Sequence, residues 1–201
     1  MARPRAATYD DQREQILARA AELFARHGYT ATSMNEVAAA CGLTKPTLYH
    51  YMRDKQDLLL HIARGHVARL EELAAEVQAL RLPPEAHLRT LIERFMQVYQ
   101  HAQNEHRVLT EDVRFLPDTE REQVLSGERR VIDSFAQAIV ALRPELAAEG
   151  LHKPLTMLLF GMMNWTFTWL RADGALSYQA LGDIVADLFC GGLPKVAAGG
   201  R

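Results

Sequence analysis

An all-α fold is what this 201-residue sequence predicts. Apolar residues recur at three- and four-residue spacing through most of the chain, and strand-like alternation bounded by turn residues is almost absent. Capping residues, Gly and Pro then divide the chain into about nine helices: three short ones, a long connecting helix and a larger helical body.

Asp10 or Asp11 can cap a first helix whose apolar positions Ile16, Ala20, Leu23, Phe24 and His27 follow helical spacing, with Gly28 as its stop. Ser33 opens a short second helix, with Glu36 at the capping-box position and Gly42 at the end. Thr44 opens a third, with Pro46 in its first turn, where a missing N–H costs little. Asp54 starts a long fourth helix, with Leu58, Ile62, His66 or Val67, Leu70, Leu73, Val77 and Leu80 on one stripe, and the "LPP" at 82–84 breaks it. Further helices are expected at about 85–103, 105–116, 118–142, 152–172 and 177–190. "RPELAAEG" and "ADGALS" act as punctuation, and "GGLPKVAAGGR" forms a mobile tail. The expected division is thus 1–53, 54–190 and a tail at 191–201.

Composition is ordinary for a globular chain, with 48% apolar and 24% charged residues. No apolar run reaches the roughly 18 residues of a membrane span, and the N-terminus turns acidic where a secretory signal turns apolar. A cytoplasmic protein with no membrane partner is expected. Cys41 and Cys190 lie too far apart for a metal knuckle or redox pair and read as small packing residues, so neither metal nor cofactor is expected. The net charge of −2 is unevenly placed: residues 1–66 carry +2 and the remainder −4.

Two short helices joined by a Gly-containing turn make a helix-turn-helix, whose second helix enters the DNA major groove. Within "NEVAAACGLTKPTLYHYM", Val37, Ala38 and Cys41 can pack inward from the first helix, and Leu48 with Tyr51 or Met52 from the second. Thr44, Lys45, Thr47, Tyr49 and His50 are left unclaimed by the core. Hydroxyls, a cation and ring-borne donors suit phosphate oxygens and base edges, although a helical hairpin with a solvated face would leave the same residues outside.

Residues 20–62 resemble the N-terminal DNA-binding domain of the tetracycline-repressor (TetR) family of transcriptional regulators. The features that carry the resemblance are "LFARHGYTATSM", "VAAACGL", "TLYHY" and "DKQDLL", in order and correctly spaced. Met52 stands where Phe is common in the family, and Pro46 where Gly is frequent. The resemblance implies that Thr32 and Ser33 meet a phosphate at the start of the second helix. It also implies that Thr44, Lys45 and Thr47 face the groove, that Tyr49 and His50 reach phosphates or base edges, and that Lys55 grips the DNA backbone.

One recognition helix reads too little sequence for a useful operator, so a homodimer on double-stranded operator DNA is expected. The last two helices are apolar around more than one face, which suits dimerisation. The candidates are Trp169 on the first and Leu181, Ile184, Val185, Leu188 and Phe189 on the second. The family's usual pairing of these helices into a four-helix bundle points the same way. The middle helices would hold a small-molecule effector among Phe95, Tyr99, Leu109, Phe115, Met157, Phe160, Met163, Asn164 and Phe167, with Asp112 and Asn164 as polar members that need partners. Such a stripe of Met and aromatic residues also serves as plain core.

The stretch "FGMMNWTFTWLRADGALSYQALGDIVADLFCGGL" is similar to the TetR-type repressors of fatty-acid, steroid-ring and phenylacetate catabolism. That resemblance implies an acyl-CoA thioester effector, the phenylacetyl-CoA type being nearest. Arg107, together with Arg94, Arg129, Arg130 and Arg143, would be available to CoA phosphates. A repressor of an efflux pump answering to apolar drugs is the alternative within the regulator class. No GxSxG, Walker loop, HExxH or Gly-rich dinucleotide turn is present, which argues against an enzyme, including a thioester hydrolase.

Overall fold

The computed structural model describes residues 9–171 and 174–197. Ten α-helices are present among them: α1 (Tyr9–His27), α2 (Met34–Ala40), α3 (Lys45–Tyr51), α4 (Lys55–Ala79), α5 (Pro84–His101), α6 (Gln103–Asp112), α7 (Asp118–Leu142), α8 (Glu145–Ala148), α9 (His152–Asn164) and α10 (Tyr178–Gly192). Three 3-10 turns complete the set, at Val113–Phe115, Trp165–Thr168 and Leu193–Lys195. No strand occurs among the described residues.

Local chemistry accounts for the short elements. Because α1 already runs from Tyr9, Asp10 and Asp11 sit in its first turn and complement the helix dipole instead of capping it. Its buried stripe is Ile16, Ala20, Ala21, Phe24 and Ala25, while His27 is exposed. Gly28 has φ 86°, a left-handed conformation that lets the chain leave the helix without a Cβ clash. Ser33 and Glu36 form the complete capping box at the start of α2. At its end, Leu43 N–H donates to the Ala38 carbonyl (2.9 Å) and Gly42 N–H to that of Ala39 (3.0 Å), with Gly42 at φ 65°. This Schellman arrangement fixes the turn between α2 and α3.

Two expected helices are shorter than their apolar patterns. The expected 105–116 helix stops at Asp112 and tightens into the first 3-10 turn, and the expected 152–172 helix stops at Asn164. In the second case Thr166 and Thr168 hydroxyls donate back to the carbonyls of Met163 (2.8 Å) and Trp165 (2.7 Å). Back-bonding hydroxyls on β-branched residues favour the tighter turn. The expected "RPELAAEG" break contains α8, which buries Leu146. Of the expected tail, Gly191 and Gly192 lie in α10, Leu193 is buried, and the Arg143 guanidinium donates to the carbonyls of Leu193 (2.6 Å) and Val196 (3.3 Å). Residues 198–201 fall outside the described residues.

Two compact units result, and neither is a single run of chain. The first comprises residues 1–66 with 104–124, the second residues 67–103 with 125–201. The first unit buries Ile16, Phe24, Val37, Leu48, Met52, Leu58 and Leu59 almost completely. The second has a continuous core that includes Leu88, Leu91, Ile92, Phe95, Phe135, Leu159, Met163 and Val185. Full burial of each such side chain stabilises by roughly 1.5–3 kcal/mol, before the entropy of ordering the chain is set against it.

Candidate nucleic-acid interface and the buried aromatic cluster

Helix α3 has one side anchored and one side free. Leu48 and Met52 are fully buried, and Tyr51 stacks on Tyr9 with ring centres 4.7 Å apart. Thr44 caps the helix, accepting from Thr47 N–H (3.3 Å), and the two hydroxyls are hydrogen-bonded at 2.8 Å. Lys45, Tyr49 and His50 are exposed, and Thr47 is half-buried. Among the described residues Lys45 has no hydrogen bond or ion pair, so its ammonium remains available. The structure therefore brings all five motif-derived candidates onto one seven-residue helix and its cap.

The three candidates that rested on resemblance alone sit differently. Thr32 is 2% exposed, and both its hydroxyl and its N–H donate to the Gly28 carbonyl (3.0 and 3.2 Å). Both donors serve to close the α1–α2 connection. Ser33 uses its hydroxyl and its N–H on Glu36. Those bonds hold the Glu36 carboxyl below the usual range, the Ser33 N–H having the largest effect. Lys55 does not reach outward: its Nζ donates to the carbonyls of Tyr29 (2.9 Å), Thr30 (3.3 Å) and Thr32 (2.9 Å) and lies 4.5 Å from the Tyr29 ring centre. An ammonium has three N–H donors, and three carbonyls face it.

Tyr29 joins several of these groups. Its ring meets Phe24 edge-on (5.2 Å) and stacks on Phe115 (5.3 Å), while its N–H donates to the Asp112 carboxyl. Asp112 is 7% exposed, and burial, reinforced by Glu111, pushes its carboxyl up to about 6 despite Arg114, Arg107 and the Tyr29 N–H. At the head of α4, Asp57 is also buried, yet the N–H and guanidinium of Arg53 (3.0 and 3.1 Å) outweigh that burial and hold it below the usual range. His66 and His106, 40 positions apart, meet at 3.3 Å between Nε2 and Nδ1 and are both buried. Nothing local to either histidine in the sequence predicts this meeting of α4 and α6.

The expected effector residues divide between the two units. Arg107, Leu109, Asp112 and Phe115 belong to the first, where Arg107 pairs with Glu111 (3.0 Å) and Phe115 packs on Tyr29. Phe95, Tyr99, Phe160, Met163, Asn164 and Phe167 belong to the second. There Phe95 meets Tyr99 (6.3 Å) and Phe135 (4.8 Å), Phe135 meets Phe160 (4.9 Å), and the Tyr99 hydroxyl donates to Asn164 Oδ1 (2.9 Å). Burial pushes the Tyr99 phenol strongly upward, so it stays a neutral donor. Phe135 sits at the centre of this cluster and was missed because α7 reads from sequence as a mostly polar helix. Met157 is exposed on α9.

The expected interface residues also divide. Leu181, Val185 and Phe189 are buried in the second unit's own core. The buried face of α10 runs through Tyr178, Leu181, Gly182, Val185, Ala186 and Phe189, and Ile184 and Leu188, four residues apart, share the side away from it. Ile184 and Leu188 are accordingly exposed, as are Trp165 and Trp169.

The model of bacterial regulatory proteins of the tetR family matches residues 16–62, and that of the tetracyclin repressor-like C-terminal domain matches residues 81–193. The HTH-type transcriptional activator FasR of Mycolicibacterium smegmatis is 33% identical over 105 residues, 51% of this chain. That match spans only about half of FasR, 47% of its length. A crystal structure of a TetR-family transcriptional regulator from Bordetella parapertussis is 34% identical, covering 95% of this chain and 100% of that one at a TM-score of 0.88. AibR, whose crystal structure is in complex with isovaleryl coenzyme A and operator DNA, is 25% identical, with 88% and 97% covered and a TM-score of 0.76.

Proposed function

This chain belongs to the tetR family of bacterial transcriptional regulators, and from that premise we propose that it is a homodimeric repressor whose grip on operator DNA is released by an acyl-CoA thioester. The observation that carries the DNA-binding part is the division of α3. Leu48 and Met52 lock one side into the core, and Thr44, Lys45, Thr47, Tyr49 and His50 are presented outside it. Lys45 is the group best suited to a guanine edge or a phosphate, and Tyr49 and His50 to flanking phosphates. Two copies would place two such helices on half-sites about one helical turn apart.

The effector part is supported by the likeness to AibR and by the C-terminal "NWTFTW" and "DGALS" stretches, with phenylacetyl-CoA as the compound to try first. The aromatic cluster around Phe95, Tyr99, Phe135 and Phe160 is the apolar surface an aryl-acyl group would contact, and the Tyr99–Asn164 pair is the polar point that could exchange partners with it. A ligand can shift the protein away from DNA by no more than its differential affinity for the two states.

The test begins with selection of bound duplexes from a random-sequence pool, followed by competition of the selected operator with phenylacetyl-CoA, aliphatic acyl-CoAs, free acids and apolar drugs. Release by a thioester alone is the expected result. Release by drugs alone would overturn the effector assignment, and failure to enrich any sequence would overturn operator binding.

A further inference from the structure

The second compact unit carries a polar groove that the proposed effector chemistry has not used. It lies between the later half of α4, the connection to α5 and the middle of α7. One cavity of about 460 Å³ is lined by Gln78, Arg81, His87 and Gln137, among others. A second of about 360 Å³ shares Gln78, His87 and Gln137 and continues to Ser134 and the Arg130–Glu71 ion pair. Among the described residues, the side chains of Gln78, Arg81, His87 and Gln137 make no hydrogen bond to the protein. Four polar side chains thus converge on one space with their hydrogen-bonding capacity unused.

The backbone at Arg81 is the second observation. Arg81 follows the end of α4 with φ 50°, the one left-handed residue other than glycine among those described. Its N–H closes the helix on the Gln78 carbonyl at 3.3 Å. Glycine takes this position without strain, and arginine does not. Strain held at a cavity wall points to a function for the side chain it orients. The arginines considered as phosphate ligands from sequence include Arg94, Arg107, Arg130 and Arg143, and each of these is paired with a carboxylate of its own chain.

We propose that this groove binds the phosphate-bearing part of an organic anion. The Arg81 guanidinium takes the phosphate through its planar fork, and the Gln78 and Gln137 carboxamides and the His87 imidazole take the amide, hydroxyl or base groups beside it. Burial holds His87 below the ordinary imidazole range, so it meets the ligand as a neutral ring. The Arg130–Glu71 pair leaves that end of the groove without net charge. Coenzyme A is the carrier that fits the acyl-CoA assignment, on which this choice rests; a free nucleotide offers the same chemistry.

Calorimetric titration of the full chain with CoA, ADP, pyrophosphate and phenylacetate tests the site, using the natural protein, Arg81→Gly and Gln137→Glu. CoA should bind the natural protein, and both variants should weaken it at least tenfold. Arg81→Gly should keep or raise the thermal midpoint, because glycine relieves the left-handed backbone, so a loss of CoA affinity in this variant is not a loss of folding. Equal CoA affinity in all three proteins, or no binding of any phosphate compound, overturns the site. Operator release by phenylacetyl-CoA that ignores both substitutions removes the groove and leaves the effector assignment intact. Arg81-dependent binding of ADP without a response to any thioester does the reverse.

Discussion

Lys55 Nζ stands 4.5 Å from the centre of the Tyr29 ring and 2.9 Å from the Tyr29 carbonyl oxygen, tying the first turn of α4 to the connection between α1 and α2. Hydrogen bonds to charged groups contribute roughly 1.5–3 kcal/mol each. Lys55 is only half-buried, so Lys55→Met, which keeps the stem, should cost about 2 kcal/mol in total, read from urea unfolding. Operator binding supplies a sharper criterion. A lost phosphate contact lowers the salt dependence of log Kobs by about one, whereas loss of an internal clamp weakens binding with the slope unchanged. An unchanged slope is expected, and a slope reduced by one would restore the outward role.

Asp112 gives a pH prediction with a definite sign. Its folded-state carboxyl sits at about 6, above the ordinary aspartate value, because burial disfavours the ion. Between about 4 and about 6 the native state binds the extra proton, so this residue's contribution to stability falls as pH rises through that window. Asp112→Asn can still accept from the Tyr29 N–H and carries no charge. It should unfold at a higher temperature than the natural protein above pH 7, with the advantage shrinking as pH falls from about 6 to about 4. A difference between the two midpoints that does not vary with pH would rule out the buried carboxylate as its source.

Local pattern carried most of the fold into view, and pairings distant in sequence were where it fell short. Ser33 with Glu36, Gly42 and Thr44 are signals a few residues long, and the structure uses each as expected. The α6 and α9 ends were misjudged because apolar spacing continues through "VRF" and "WTFT", whose turns are set by hydroxyl back-bonding and packing. Thr32 and Lys55 look from sequence like exposed polar residues; only the fold shows carbonyls accepting from their donors. Arg81 was invisible for a related reason, since its left-handed backbone is a property of the helix end and not of the residue type.

The outward faces of α9 and α10 predict the dimer contact. Met157, Leu158 and Trp165 fall at helical spacing on one side of the α9 segment, and Ile184 and Leu188 on one side of α10; Trp165 is 63% and Leu188 65% exposed. Leu188→Glu would place a carboxylate in that patch without touching the buried Leu181, Val185 and Phe189. A central interface residue costs 2 kcal/mol or more when removed, so dimer dissociation should strengthen by about 30-fold. Light scattering at micromolar concentration should find a dimer for the natural protein and a monomer for the variant, with operator affinity falling in parallel. A variant that remains dimeric places the interface elsewhere.

Gly127 sets two ordinary expectations against each other. It lies within α7, where alanine has the better helix propensity by roughly 1 kcal/mol, so Gly127→Ala would normally stabilise. A Cβ there, however, would stand 2.5 Å from Val67 Cγ1 on α4, closer than packed carbons approach. The nearest atom belongs to a β-branched side chain with few rotamers to retreat into. Overpacking of this kind costs typically 1–3 kcal/mol, which exceeds the propensity gain, so Gly127→Ala should lower the unfolding midpoint. The companion variant Gly127→Ala with Val67→Ala removes the obstructing methyl and should recover part of the loss. That non-additivity, measured as a double-mutant cycle, identifies the α4–α7 approach as the cause. A stabilised single variant would mean that the two helices separate easily at this point.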